Sequence, residues 1–203
     1  MFEYALLTFG SLFAIVDPFA AMPAYLAMTA RYTVKTRKRM AKIACLTSGA
    51  VMMVFAALGP TLFRLLGITL PAFQVAGGLV LLLSALDMLR AKRTPLKETA
   101  EETAEGATKD DIAITPLAIP MLSGPGAITT SIVLYGQAQG IGHKAIFFVC
   151  IAAVSAASYL ILRTAAGGVR KIGPTLMNII ERLMGLLLAA IGVQFVMSAL
   201  KLA

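Results

Sequence analysis

The sequence predicts an all-α membrane protein: six transmembrane helices forming two inverted three-helix repeats, with helices one and four broken. Three observations carry this. Of 203 residues, 59% are hydrophobic and 14% charged, with a mean hydropathy of +0.84, whereas soluble domains hold about 45–50% apolar and about 25% charged residues. Uncharged runs long enough to cross a bilayer recur along the chain. Two of them carry prolines in matching places. The composition excludes a soluble domain, a disordered chain and a disulfide scaffold. The net charge of +8 does not mark a nucleic-acid binder, because most basic residues lie beside apolar runs.

A spanning helix needs about 20 apolar residues to cross about 30 Å of hydrocarbon. Residues 43–63, 65–86 and 112–142 carry no charge, and neither do the shorter runs 145–162 and 183–200. Residues 4–30 are interrupted once, by Asp17. The expected spans are therefore 4–30, 43–63, 68–89, 112–136, 145–163 and 176–200. No basic region precedes the first span, which is too long for a signal-peptide core, so no cleavage is expected.

Short loops rich in Lys and Arg stay cytoplasmic. Arg31, Lys35, Arg37, Lys38, Arg39 and Lys42 fall between spans one and two. Arg90, Lys92, Arg93, Lys97 and Lys109 fall between spans three and four, and Arg163, Arg170 and Lys171 between five and six. The other side holds only Arg64, Lys144 and Lys201. Fourteen against three places both termini outside. The segment 92–111, rich in Lys, Glu, Thr and Ala, reads as a cytoplasmic linker between a first repeat, 1–91, and a second, 112–203.

The halves repeat their features in order. Asp17-Pro18, then Pro23, in span one matches Thr115-Pro116, then Pro120, in span four. Gly59-Pro60-Thr61-Leu62 matches Gly173-Pro174-Thr175-Leu176, and Gln74-Val75-Ala76-Gly77 aligns with Arg182-Leu183-Met184-Gly185. With three spans in each half, the second enters from the opposite side. Inverted repeats whose broken helices meet near the midplane are a recurrent transporter architecture.

Proline removes a helical donor and clashes with the preceding turn. Span four holds Pro116, Pro120 and Pro125, the last within Ser123-Gly124-Pro125-Gly126, and is not expected to stay continuous. A helix restarting there would present free N–H groups and a positive dipole end, which suits a carboxylate. Ser123, Thr129 and Thr130 add hydroxyls. Close packing of small residues is the competing reading of this stretch. Asp17 lies deep in span one, where a carboxylate costs at least about 2.5–3.5 kcal/mol unless compensated. It suits a helix cap ahead of Pro18, a binding group for a substrate ammonium, or a proton carrier. Asp87 and Arg182 lie at similar depth and are expected to pair. Gln74, Asn178 and Gln194 are expected to bond between helices. His143 is expected at the surface, and Cys45 and Cys150 as free thiols at opposite membrane faces. No metal-site, phosphate-loop or nucleophile–base pattern occurs, so no enzyme and no cofactor is expected.

These residues resemble the MarC family (UPF0056) of bacterial inner-membrane proteins, related to the SnatA small-neutral-amino-acid transporter. The resemblance rests first on Pro116-Leu117-Ala118-Ile119-Pro120 running into Gly124-Pro125-Gly126-Ala127-Ile128-Thr129. Asp17-Pro18 to Pro23, Ala76-Gly77-Gly78, Glu181-Arg182-Leu183-Met184-Gly185 and Gly192-Val193-Gln194-Phe195 support it. It implies a multi-pass protein of the bacterial inner membrane that transports small neutral amino acids of the glycine and alanine class, coupled to a proton or sodium gradient.

The expected function is thus secondary transport of a small zwitterion by alternating access. Asp17, Pro18, Pro116, Ser123, Gly124, Gly126, Thr129 and Thr130 would contact substrate. Pro23, Pro120, Pro125, Asp87, Arg182, Gln74 and Gln194 would serve structure or gating. Export of another small solute or drug, and a non-transporting membrane scaffold, are the alternatives. The expected partners are the substrate and the lipid bilayer, with no nucleic acid; a homo-oligomer stays open.

Overall fold

The computed structural model describes residues 1–89, 113–167 and 174–201; the linker 92–111 lies outside them. Within the described residues the secondary structure is helical: α1 (Phe2–Val16), α2 (Pro18–Met28), α3 (Val34–Leu66), α4 (Leu70–Leu89), the irregular α5 (Ala113–Leu122), α6 (Pro125–Gly136), α7 (Gly140–Ala166) and α8 (Pro174–Lys201). Among the described residues five helical stretches are long and apolar enough to cross a membrane, and the bent α5–α6 pair, taken as one span, brings the count to six.

Local chemistry sets the boundaries. Asp17 adopts φ 40°, and its N–H donates to the Phe13 carbonyl at 3.0 Å, which closes α1. Aspartate tolerates this left-handed conformation better than most residues. Pro18 cannot donate to an ongoing helix and disfavours helical backbone at the residue before it. The interruption does not redirect the chain: Phe2–Leu26 still reads as one 25-residue crossing. Pro23 lies inside α2 without ending it. In α5 the two non-helical residues are Thr115 and Ile119, each directly before a proline, as the same steric rule requires. The Ile119–Pro120 peptide is cis. Between α5 and α6 the chain turns by 60°.

The basic segment after span one is more ordered than a loop. Thr33 caps α3, accepting from the Thr36 N–H at 3.3 Å, so Lys35 to Lys42 occupy the first turns of that helix. With 33 residues, α3 is about 50 Å long at 1.5 Å per residue and outruns the hydrocarbon. Arg37 turns back on α2, where its Nε donates to the Thr29 carbonyl at 2.8 Å and its Nη2 to that of Leu26 at 3.5 Å. The buried Tyr25 hydroxyl donates to the Arg37 carbonyl at 2.9 Å. A cation at a helix C-terminus also complements the helix dipole. At the other end of α3, Gly67 takes φ 66° and Ile68 N–H donates to the Phe63 carbonyl at 2.9 Å, the left-handed closure that glycine permits.

Small residues set the helix contacts. Helices α4 and α8 cross where a methyl placed on Gly78 would lie 2.6 Å from the Gly192 carbonyl oxygen, and one on Gly192 would lie 2.9 Å from that of Gly78. Helices α3 and α7 meet at Gly49, where a methyl would lie 2.5 Å from Ser155 Oγ. Helix α3 also packs on α5 and α6, and α7 on α1 and α2. A core built around Leu12, Tyr25, Met52, Leu117, Phe147 and Ile151 fills the space among these elements. Large apolar side chains on α4 and α8, such as Leu79, Leu83, Leu183 and Leu186, point outward, where a bilayer would cover them.

Candidate functional site

The two chain breaks lie together in the interior. At the first, Asp17 is 7% exposed, and its Oδ1 accepts from the Ala20 N–H at 3.1 Å. This is the capping role: one residue closes α1 through its backbone and opens α2 through its side chain. At the second, the Ser123 N–H and Oγ both donate to the Ala118 carbonyl, at 2.9 and 2.8 Å. Gly124 then caps α6 with extended backbone, Pro125 takes the first helical position, and no side chain caps the turn. A helix that begins with Gly and Pro keeps its first donors clear of a competing side chain.

Gly126 joins the breaks. A methyl placed on it would lie 2.7 Å from Leu81 Cδ2 and 3.7 Å from Ile15 Cγ2, two residues before Asp17. The start of α6 therefore abuts the end of α1, with α4 beside them. Gly77 of α4 touches Thr129 so closely that any Cβ would overlap the Thr129 methyl. Ser123, Thr129 and Thr130 are all buried. Pro116 and Pro120 lie in α5, which packs on α2. Asp17, Ser123, Gly124, Gly126, Thr129 and Thr130 thus cluster around one junction.

A cavity of about 340 Å³ lies elsewhere, lined by Pro60, Phe63, Leu70, Ile132, Tyr135, Gly136, Ala138 and Lys144. None of the break residues lines it. It opens at the far end of α6, about 12–18 Å from the break at 1.5 Å per residue. At the breaks themselves the helices approach closely, through Gly77 against Thr129 and Gly126 against Leu81. Lys144 and Tyr135 belong to this cavity, with Lys144 Nζ 5.3 Å from the Tyr135 ring centre. Neither carries a sequence pattern that marks a site: Lys144 is a lone basic residue on the expected outer side.

Several polar residues depart from expectation. Gln74 is buried, yet neither end of its amide has a hydrogen-bond partner, so it bonds to no other helix. Gln194 donates to Ser198 Oγ at 3.1 Å, one turn along its own helix. Asp87 and Arg182 form no ion pair. Ala85, Met88 and Leu89, not Asp87, are the α4 residues nearest Gly185, and Arg182 is exposed. The Asn178 side chain lies outside the described residues. His143 is half-buried, its ring 4.9 Å from that of Tyr4 and its Nδ1 2.7 Å from the Gln139 carbonyl; it ties the start of α7 to α1. Cys45 and Cys150 are free thiols, as expected.

The helices and this interior junction define a multi-pass integral membrane protein. The chain belongs to the MarC family of integral membrane proteins, matched over residues 2–203. It is 38% identical to the UPF0056 membrane protein YvbG of Bacillus subtilis over 99% of this chain and 96% of that one. A UPF0056 membrane protein of Aquifex aeolicus is 37% identical over 95% and 90%, and YhcE of Escherichia coli 34% identical over 95% and 90%. Relatives also occur in archaea such as Archaeoglobus fulgidus, so membership alone does not specify a bacterial inner membrane. No solved structure matches.

Proposed function

We propose that this protein is a secondary transporter of small neutral amino acids, of the glycine and alanine class, working by alternating access. The carrying observation is the meeting of two interrupted spans, with Gly126 at the start of α6 against Ile15 beside the Asp17 break. Irregular backbone at membrane depth is tolerated only where it is buried in protein or lines a cavity. At such junctions in transporters, half-helix ends and freed carbonyls serve as binding groups. Here the uncapped first turn of α6 suits a carboxylate. Asp17 and the carbonyls near Pro18 and Pro116 suit an ammonium. A zwitterion with a small side chain satisfies both, and Thr129 closed on Gly77 favours small size.

In this reading the halves 1–91 and 112–203 are inverted repeats that rock against each other. The exchange of partners supports it: α3 packs on the broken span of the second half, α7 on that of the first, and α3 with α7 and α4 with α8 pair across the halves. The excess of basic residues at the start of α3 supports a location with both termini outside. A proton or sodium gradient would drive the cycle.

Labelled glycine and alanine tested in proteoliposomes, with and without proton and sodium gradients, decide the matter. The expected result is gradient-dependent uptake above empty liposomes. Uptake equal to empty liposomes under every gradient contradicts the proposal. A scaffold reading draws on the tight Gly77–Thr129 and Gly78–Gly192 contacts. It expects Ser123→Ala to change stability alone, whereas the transporter reading expects slowed uptake by a folded protein.

A further inference from the structure

Gln74 is 1% exposed, and neither its Nε2 nor its Oε1 has a partner. A primary amide offers two donors and two acceptor lone pairs, and native interiors rarely leave all of them idle. Its position is well bracketed. Leu70, one turn earlier on α4, meets Gly136, and Gly77, three residues later, meets Thr129. This antiparallel register sets Gln74 level with Ile132 of α6, and Thr130 lies two residues, about 3 Å, further toward the break. Thr130 is wholly buried, and its Oγ1 is also without a partner. A helical hydroxyl can turn back to the carbonyl four residues earlier, as Ser131 does to Ala127 at 2.7 Å, but Thr130 does not. Around this register the α4 and α6 residues Leu70, Phe73 and Val133 belong to an apolar cluster. Immediately beyond lies the 340 Å³ cavity, whose wall includes Leu70, Ile132 and Gly136 and whose cation is Lys144.

We infer that Gln74 and Thr130 form a polar station on an access path between this cavity and the break at Ser123–Gly124, and that a small zwitterion satisfies them. The inference rests on the transporter reading above. Gln74 Nε2 donates to the carboxylate, Gln74 Oε1 accepts from the ammonium, and Thr130 Oγ1 bonds either group. A simple anion or cation would use only one end of the amide. Lys144 at the cavity draws the carboxylate inward, and the Gly77–Thr129 contact bars bulky side chains one turn deeper. Gln74 is therefore a substrate-contacting residue and not solely a gate.

Two variants test this. Gln74→Leu removes both ends of the amide while keeping an apolar side chain. Labelled glycine uptake in proteoliposomes is expected to slow about ten-fold or more, with the melting temperature unchanged or raised. Uptake within two-fold of the parent, or a lowered melting temperature that marks a structural partner, overturns the inference. Gln74→Cys is then labelled with a membrane-impermeant maleimide in a background carrying Cys45→Ser and Cys150→Ser. Labelling from the Lys144 side, slowed by added glycine, is expected. No labelling, or labelling indifferent to glycine, overturns the path. Glycine-sensitive labelling in a protein that takes up neither glycine nor alanine supports the station while refuting the transporter reading, so the two failures separate.

Discussion

At Asp17 a left-handed backbone closes α1 while the carboxylate opens α2, so the side chain and the backbone are separately testable. Asp17→Ala loses the cap, at about 1 kcal/mol, and forces a Cβ-bearing residue without a local bond into positive φ, at about 1–2 kcal/mol. A lower unfolding temperature in detergent is expected. Asp17→Asn keeps an accepting oxygen and tolerates the same backbone, so its unfolding temperature is expected near that of the parent. If the charge holds the substrate ammonium, the Asn variant still loses glycine uptake. Full uptake by Asp17→Asn would reduce Asp17 to a capping residue. Gln74 contrasts with Asp17, because the fold makes no evident use of its amide.

Among the helices, close backbone approach at small residues is the recurring device. Gly192 of α8 sits against the Gly78 carbonyl and Leu82, so Gly192→Leu must push α8 from α4. Overpacking costs typically about 1–3 kcal/mol, and a clearly lowered melting temperature is expected. Gly10→Ala is the matched control, since nothing lies within 4 Å of its missing Cβ; it is expected to leave stability unchanged or raise it, because alanine favours helix over glycine. Equal effects at both positions would refute the packing account. The breaks were readable in the sequence because they follow from local sterics: Asp17, Thr115 and Ile119 each precede a proline. Partners of Gln74, Gln194, Asp87 and Arg182 were not readable. Which face of a helix meets which neighbour depends on crossings set by Gly78, Gly185 and Gly192, and one residue of rotation sends Met88 rather than Asp87 to the contact.

Across the whole molecule, uncharged runs announced the crossings, since the bilayer imposes length and apolarity directly. The cavity near Tyr135 and Lys144 was not foreseen, because it arises where the α3–α4 pair meets the α6–α7 pair, and these are remote from each other in sequence. The described residues contain a closed junction at the breaks and a separate opening at the far end of α6. In the proposed carrier, the junction would be the binding point and this cavity one approach to it, with Gln74 between the two. Transport here depends on the junction of half-helices holding a zwitterion, and the most direct test is a structure determined with glycine bound. The carboxylate is expected at the first turn of α6, beside Gly126, and the ammonium within hydrogen-bond distance of Asp17. Glycine bound away from both breaks, or spans one and four running unbroken, would contradict it.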